Sequence, residues 1–168
     1  PLLIAAIDTR QSDDLLRDRM QDAAKQLLQA YPESRIVCLS TISNTPTFEG
    51  SNESETASGI VRGHLVQLME WAKPLKLPRE RISYHVLEAI DPANRIVEFA
   101  QDNDASLILI GASHRTINKV TPWRTSMTKI AEEAPCSVHI VRTWSFKSSL
   151  RFRDSQLNFG ISATWLRF

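Results

Sequence analysis

The chain has 168 residues, 42% of them hydrophobic and 23% charged, with a formal net charge of +1. Such a chain suits one globular domain that can bury a core without disulfides or metals. The charge balance gives no ground for a nucleic-acid binder, and no run approaches the roughly 20 apolar residues of a membrane-spanning helix. No signal peptide precedes the first strand, so a soluble, cytoplasmic protein is expected. The chain opens at Pro1 without a methionine, as a piece of a longer protein would. Charge is unevenly spread. Residues 143–168 hold Lys147, Arg151, Arg153 and Arg167 against Asp154, a net of +3, which leaves −2 for residues 1–142.

Leu2–Ile7 is an unbroken apolar run, the pattern of a strand buried on both faces, and it ends at Asp8, a polar residue suited to open a turn. Ser12-Asp13-Asp14 predicts a helix start, with a capping hydroxyl and two carboxylates at the positive end of the dipole. Leu15, Leu16, Met20, Ala23, Ala24, Leu27 and Leu28 keep helical spacing to Tyr31, and Pro32 closes the helix. Arg35–Ser43 is the second strand. Residues 44–58 are polar and carry turn formers, which predicts a long loop. A helical pattern resumes from Ile60 to Leu75, weakened at Gly63 and ended by Pro74. His64 falls on this helix without a metal partner at i±4 and is expected at the surface or its boundary. Ile82–Leu87 alternates like a strand with one more exposed face. Asp91-Pro92 is a helix start, a cap followed by proline in the first turn, and Ile96, Val97, Phe99 and Ala100 supply the buried face.

Ser106–Ile110 is again a run of strand formers, followed by Gly111-Ala-Ser-His-Arg115 and a polar connection. Thr121 and Pro122 suit a cap and first turn, and Met127, Ile130, Ala131 and Ala134 mark one helical face. Pro135 stops that helix and Cys136–Val141 is the fifth strand. Strand, loop, helix and strand form a crossover unit, whose ligands sit where strand C-termini meet helix N-termini. The start of this last helix attracts anions through its free N–H groups and dipole, with Arg115, Lys119 and Arg124 around it and the hydroxyls of Thr125 and Ser126 beside it. The same residues also suit a well-capped helix with solvated basic side chains. Cys38 and Cys136 lie in apolar runs with no ligand set nearby and are expected as buried free thiols of a reducing compartment. His85 and His139 are expected as structural strand residues.

Ile108-Leu-Ile-Gly-Ala-Ser-His-Arg115, then Thr125-Ser126, then Ala134-Pro-Cys-Ser-Val138 running into Ile140-Val-Arg142, resembles the C-terminal half of a universal stress protein domain. The match covers residues 2–142, dense from about 86 onward. It implies a doubly wound, mostly parallel five-stranded sheet with four helices and the order 3-2-1-4-5, similar to the adenine nucleotide alpha hydrolases. It also implies an ATP or AMP site: Asp8 at the base and ribose, Thr41 at the adenine, and a loop of three glycines at the phosphates. In that loop Gly111 matches, but the second glycine falls on His114 and the third on Arg124, with Thr125 at the hydroxyl position. Glycine there lets backbone approach phosphate without a Cβ, so the two side chains argue against the usual mode. Arg124 is nonetheless itself a phosphate partner. Two readings are open. One is a non-enzymatic stress-response regulator or adaptor with a degenerate nucleotide pocket that requires no cofactor. The other is an ATP or AMP sensor whose phosphates meet Lys119, Arg124, Thr125 and Ser126.

The sequence places no serine or cysteine beside a histidine base, no metal-ligand spacing and no paired carboxylates at a strand end, so catalytic residues and a metal site are not expected. Residues 143–168 form a basic extension holding six of the chain's 12 aromatics, and Leu150–Arg153 alternates like a strand or hairpin. The resemblance implies a homodimer joined through the last, edge strand. Dimer contacts are favoured for the tail over stacking on nucleic acid, and a regulatory protein partner fits the adaptor reading.

Overall fold

Strands that are apolar throughout need a helix layer on each face. The computed structural model has that architecture in the residues it describes, 1–10, 13–43, 53–112 and 122–143. Strands and helices alternate as β1 (Leu2–Ala6), α1 (Asp14–Ala30), β2 (Arg35–Ser43), α2 (Glu53–Ala72), β3 (Ile82–Ala89), α3 (Pro92–Asp102), β4 (Leu107–Ala112), α4 (Pro122–Glu133) and β5 (Ser137–Arg142). All strand pairs are parallel, in the order β3-β2-β1-β4-β5. The doubly wound sheet and its expected order are both observed.

Side chains of β1 alternate between two cores. Leu3, Ala5 and Ile7 join Leu16, Met20 and Ala24 of α1 and Leu68 and Trp71 of α2. Ile4 and Ala6 join Ile96 and Ala100 of α3 and Ile130 of α4. β3 lies at the sheet edge, and the alternation expected of it is not seen in burial: Ile82, Ser83, Tyr84, Val86 and Leu87 are all half-buried, and the exposed residues His85 and Glu88 lie on opposite faces.

Several local expectations need correction. The cap of α1 is the carboxylate of Asp13, whose Oδ1 accepts from the Leu16 N–H at 3.1 Å; Ser12 lies outside the described residues. A carboxylate suits that place because it also complements the helix dipole. The second helix starts at Glu53, well inside the stretch expected to be a loop, because acidic residues favour the first turn even without apolar periodicity. It stops at Ala72, and Lys73–Leu75 tightens into a 3-10 turn at Pro74. By contrast α3 opens as expected: Asp91 Oδ1 accepts from the N–H groups of Ala93 and Asn94, and Oδ2 accepts from Lys129 Nζ of α4 at 2.7 Å.

Candidate functional site

The order 3-2-1-4-5 puts the topological switch point between β1 and β4, and ligands of open α/β sheets bind outside the strand C-termini there. The sheet register sets which residues meet at that edge. Ala6 pairs with Leu39 and with Ile110, so Gly111 lies one step past the last pair, and Asp8 and Thr41 lie two steps past it on neighbouring strands. The structure thus gathers three of the expected site residues on adjacent strand ends. Ser126 is buried in the first part of α4. His114, Arg115 and Lys119 lie outside the described residues, as do the side chains of Arg124 and Thr125.

Asp8 is engaged within its own turn. Its Oδ1 accepts from the backbone N–H of Arg10 at 3.1 Å and from the Arg10 guanidinium Nε at 3.2 Å. Gly111 serves packing rather than an unusual backbone angle. A Cβ there would stand 2.5 Å from Met20 Sδ and 3.1 Å from Leu16 Cδ2, so its bare backbone is what lets α1 settle onto β4.

One cluster at this edge was not foreseen. His64 sits half-buried at the boundary, as expected, and is engaged there: its Nδ1 lies 2.8 Å from Thr9 Oγ1 and 3.2 Å from Ser40 Oγ, which are themselves 3.4 Å apart. The imidazole thereby fastens α2 to the ends of β1 and β2. Burial, and then the nearby Arg10 charge, hold it below the usual histidine range, while Asp8 pulls the other way. Sequence alone offered no signal for this cluster beyond hydroxyls at two strand ends. Its members lie 24 to 55 residues apart.

Beside this edge a cleft of about 570 Å³ opens between α1 and α2, lined by the end of β1 from Ala6 to Thr9, by Leu16 and Met20, and by Val66 and Trp71. Gln21 spans it, its Nε2 donating to the Trp71 carbonyl at 2.8 Å. The thiols are unpaired. Burial pushes Cys38 up to about 12, which leaves it protonated and unreactive, and raises the half-buried Cys136 as well. Among the described residues no group of three or more His, Cys, Asp or Glu could hold a metal ion, and no helix is long and apolar enough to cross a membrane.

Comparison with known proteins agrees with this topology. The sequence model of the universal stress protein family matches residues 4–142. The chain belongs to that family. A universal stress protein of Methanothermobacter thermautotrophicus is 28% identical to it over 116 residues, covering 66% of this chain and 78% of the relative. Among solved folds, a universal stress protein crystallised in complex with cAMP superposes with a TM-score of 0.59 at 17% identity, covering 83% of this chain and 95% of the other. A family member from Arabidopsis thaliana with AMP bound gives 0.56 at 11% identity, covering 90% and 97%. One from Burkholderia pseudomallei gives 0.56 at 20%, covering 83% and 94%. At such identities these three structures establish the shared universal stress protein fold.

Proposed function

We propose that this universal stress protein domain is a non-enzymatic regulator or adaptor of the stress response, a homodimer whose nucleotide pocket has lost the family's usual mode of phosphate binding. The observation that carries this reading is the internal engagement of the strand ends. Asp8 is held by Arg10, and the Thr9 and Ser40 hydroxyls by His64, so a nucleotide would have to displace protein partners to reach them. The replacement of two loop glycines by His114 and Arg124 supports it from the sequence. The position of β5 at the sheet edge supports dimerisation, since an exposed edge invites a second strand. No cofactor is needed for this role.

Isothermal titration with ATP, AMP and cAMP tests it. Dissociation constants weaker than about 1 mM are expected, or about −4.1 kcal/mol. The cleft beside β1, and relatives solved with cAMP and AMP, favour a second reading as a nucleotide sensor using Lys119, Arg124, Thr125 and Ser126. Binding tighter than about 100 µM, roughly −5.5 kcal/mol, that disappears in Arg124→Ala would select the sensor. Multiple-turnover release of phosphate from ATP would overturn both. Light scattering of the purified chain measures the dimer directly.

A further inference from the structure

The cleft between α1 and α2, at about 570 Å³, is within the range that small-molecule sites occupy. Its buried lining residues include Ile7, Leu16, Met20 and Trp71, and Val66 in the same lining is 51% exposed. The carboxylates that reach it are already engaged. Asp8 pairs with Arg10 at 3.2 Å, Asp18 with Arg17 at 4.0 Å and Glu70 with Lys73 at 2.7 Å, while Asp13 caps α1. An ionic guest would meet no free countercharge there and would lose its hydration, whereas a neutral guest leaves these pairs intact.

One polar side chain in the lining is only half used. Gln21 is 8% exposed, and a buried amide is costly unless both of its ends are bonded. The Trp71 carbonyl can only accept, so it takes the nitrogen end, at 2.8 Å. The oxygen end, Oε1, has no hydrogen-bond partner among the described residues, yet it is not sealed from solvent. Because Gln21 lines the cleft, Oε1 is an acceptor that the cleft offers to a guest. We infer that this cleft binds a small, neutral aromatic molecule with one N–H or O–H donor, the donor bonded to Gln21 Oε1 and the rings against Met20 and Trp71. A thioether and an indole both favour aromatic neighbours, which decides for rings over an aliphatic chain. The inference goes beyond the regulatory reading: it names a ligand site apart from the nucleotide's and holds whether or not nucleotide binds.

Fluorescence titration of the full chain with N-phenylnaphthylamine, a neutral diarylamine with a single N–H, tests it. One saturable site per chain is expected, with a dissociation constant below about 100 µM. Methylating the probe nitrogen should weaken binding about tenfold, and so should Gln21→Leu; because both remove the same hydrogen bond, the two together should cost no more than either alone. Val66→Trp, a bulky side chain at an exposed position of the lining, should also weaken it about tenfold. Anilinonaphthalene sulfonate, the same diarylamine with a negative charge, should bind about tenfold more weakly than the neutral probe. Absence of saturable binding overturns the inference. Equal affinity for the methylated or the sulfonated probe does so as well, as does unchanged affinity in folded Val66→Trp. Displacement of the probe by AMP would assign the cleft to the nucleotide edge and overturn it too.

Discussion

The two faces of the sheet are built from the same strands and end up unlike each other. On one, α3 and α4 pack extensively against each other, and the Lys129–Asp91 pair joins them at 2.7 Å. On the other, α1 leans over β4 and β5 while α2 lies over β2 and β3, and the gap between them opens above the end of β1. Glycine at position 111 admits α1 to β4, and the Gln21 to Trp71 bond is the buried tie across the gap. The lesson is that strand alternation fixes which side chains face each layer. Spacing between helices within a layer is set by single close contacts.

Truncating the closed layer should cost most. Ile130→Ala is expected to lose about 4 kcal/mol and Leu16→Ala, beside the open cleft, about 2 kcal/mol, because the cost of a cavity depends on how much room the site already has. Urea unfolding measures both, and equal losses would break the contrast. Gly111→Val should cost about 2 kcal/mol by forcing α1 off β4. Adding Met20→Ala, which clears the 2.5 Å contact, should recover part of that loss and give a coupled double-mutant cycle. Gln21→Leu leaves the Trp71 carbonyl without its donor and should cost about 1 kcal/mol, with a shift in tryptophan emission as the cleft widens.

The smallest effects are in pH dependence. His64 and His139 are both held below the usual histidine range, chiefly by burial. A folded state that resists protonation loses ground once the unfolded chain takes up protons. Their contribution is therefore whole above about pH 6.5 and lost as pH falls below it. Asp91 is also lowered, first by the hydrogen bond from Lys129, so its contribution is present above about pH 4 and lost below. Melting temperatures from pH 8 to 3 should flatten in the upper window for His64→Gln. For Lys129→Met they should flatten only in the lower one.

Legibility in the sequence depended on the range of the interaction. The bounds of β2 and the Asp91-Pro92 start of α3 were readable because apolar runs and caps act over a few residues. The start of α2 at Glu53 was not, because polar residues with fair helix propensity resemble a loop when no apolar stripe marks them. Gly111 was read as a glycine for phosphate approach; the neighbours that a Cβ there would meet, Leu16 and Met20, lie on an element about 90 residues earlier and left no local signal. The tie from His64 to Thr9 and Ser40 exists only once three separate elements have been brought together.

The central place of β1 has a consequence for how the molecule is made. Leu3 pairs with Ile36 on one side and with Leu107 on the other, so its second neighbour is synthesised about a hundred residues later. At ordinary translation speeds that interval is roughly 5 to 20 s. Throughout it an apolar strand has one unoccupied ladder of backbone donors and acceptors. The nascent N-terminal half is then the stage at which a holding chaperone, or aggregation with another ribosome's product, has its opportunity.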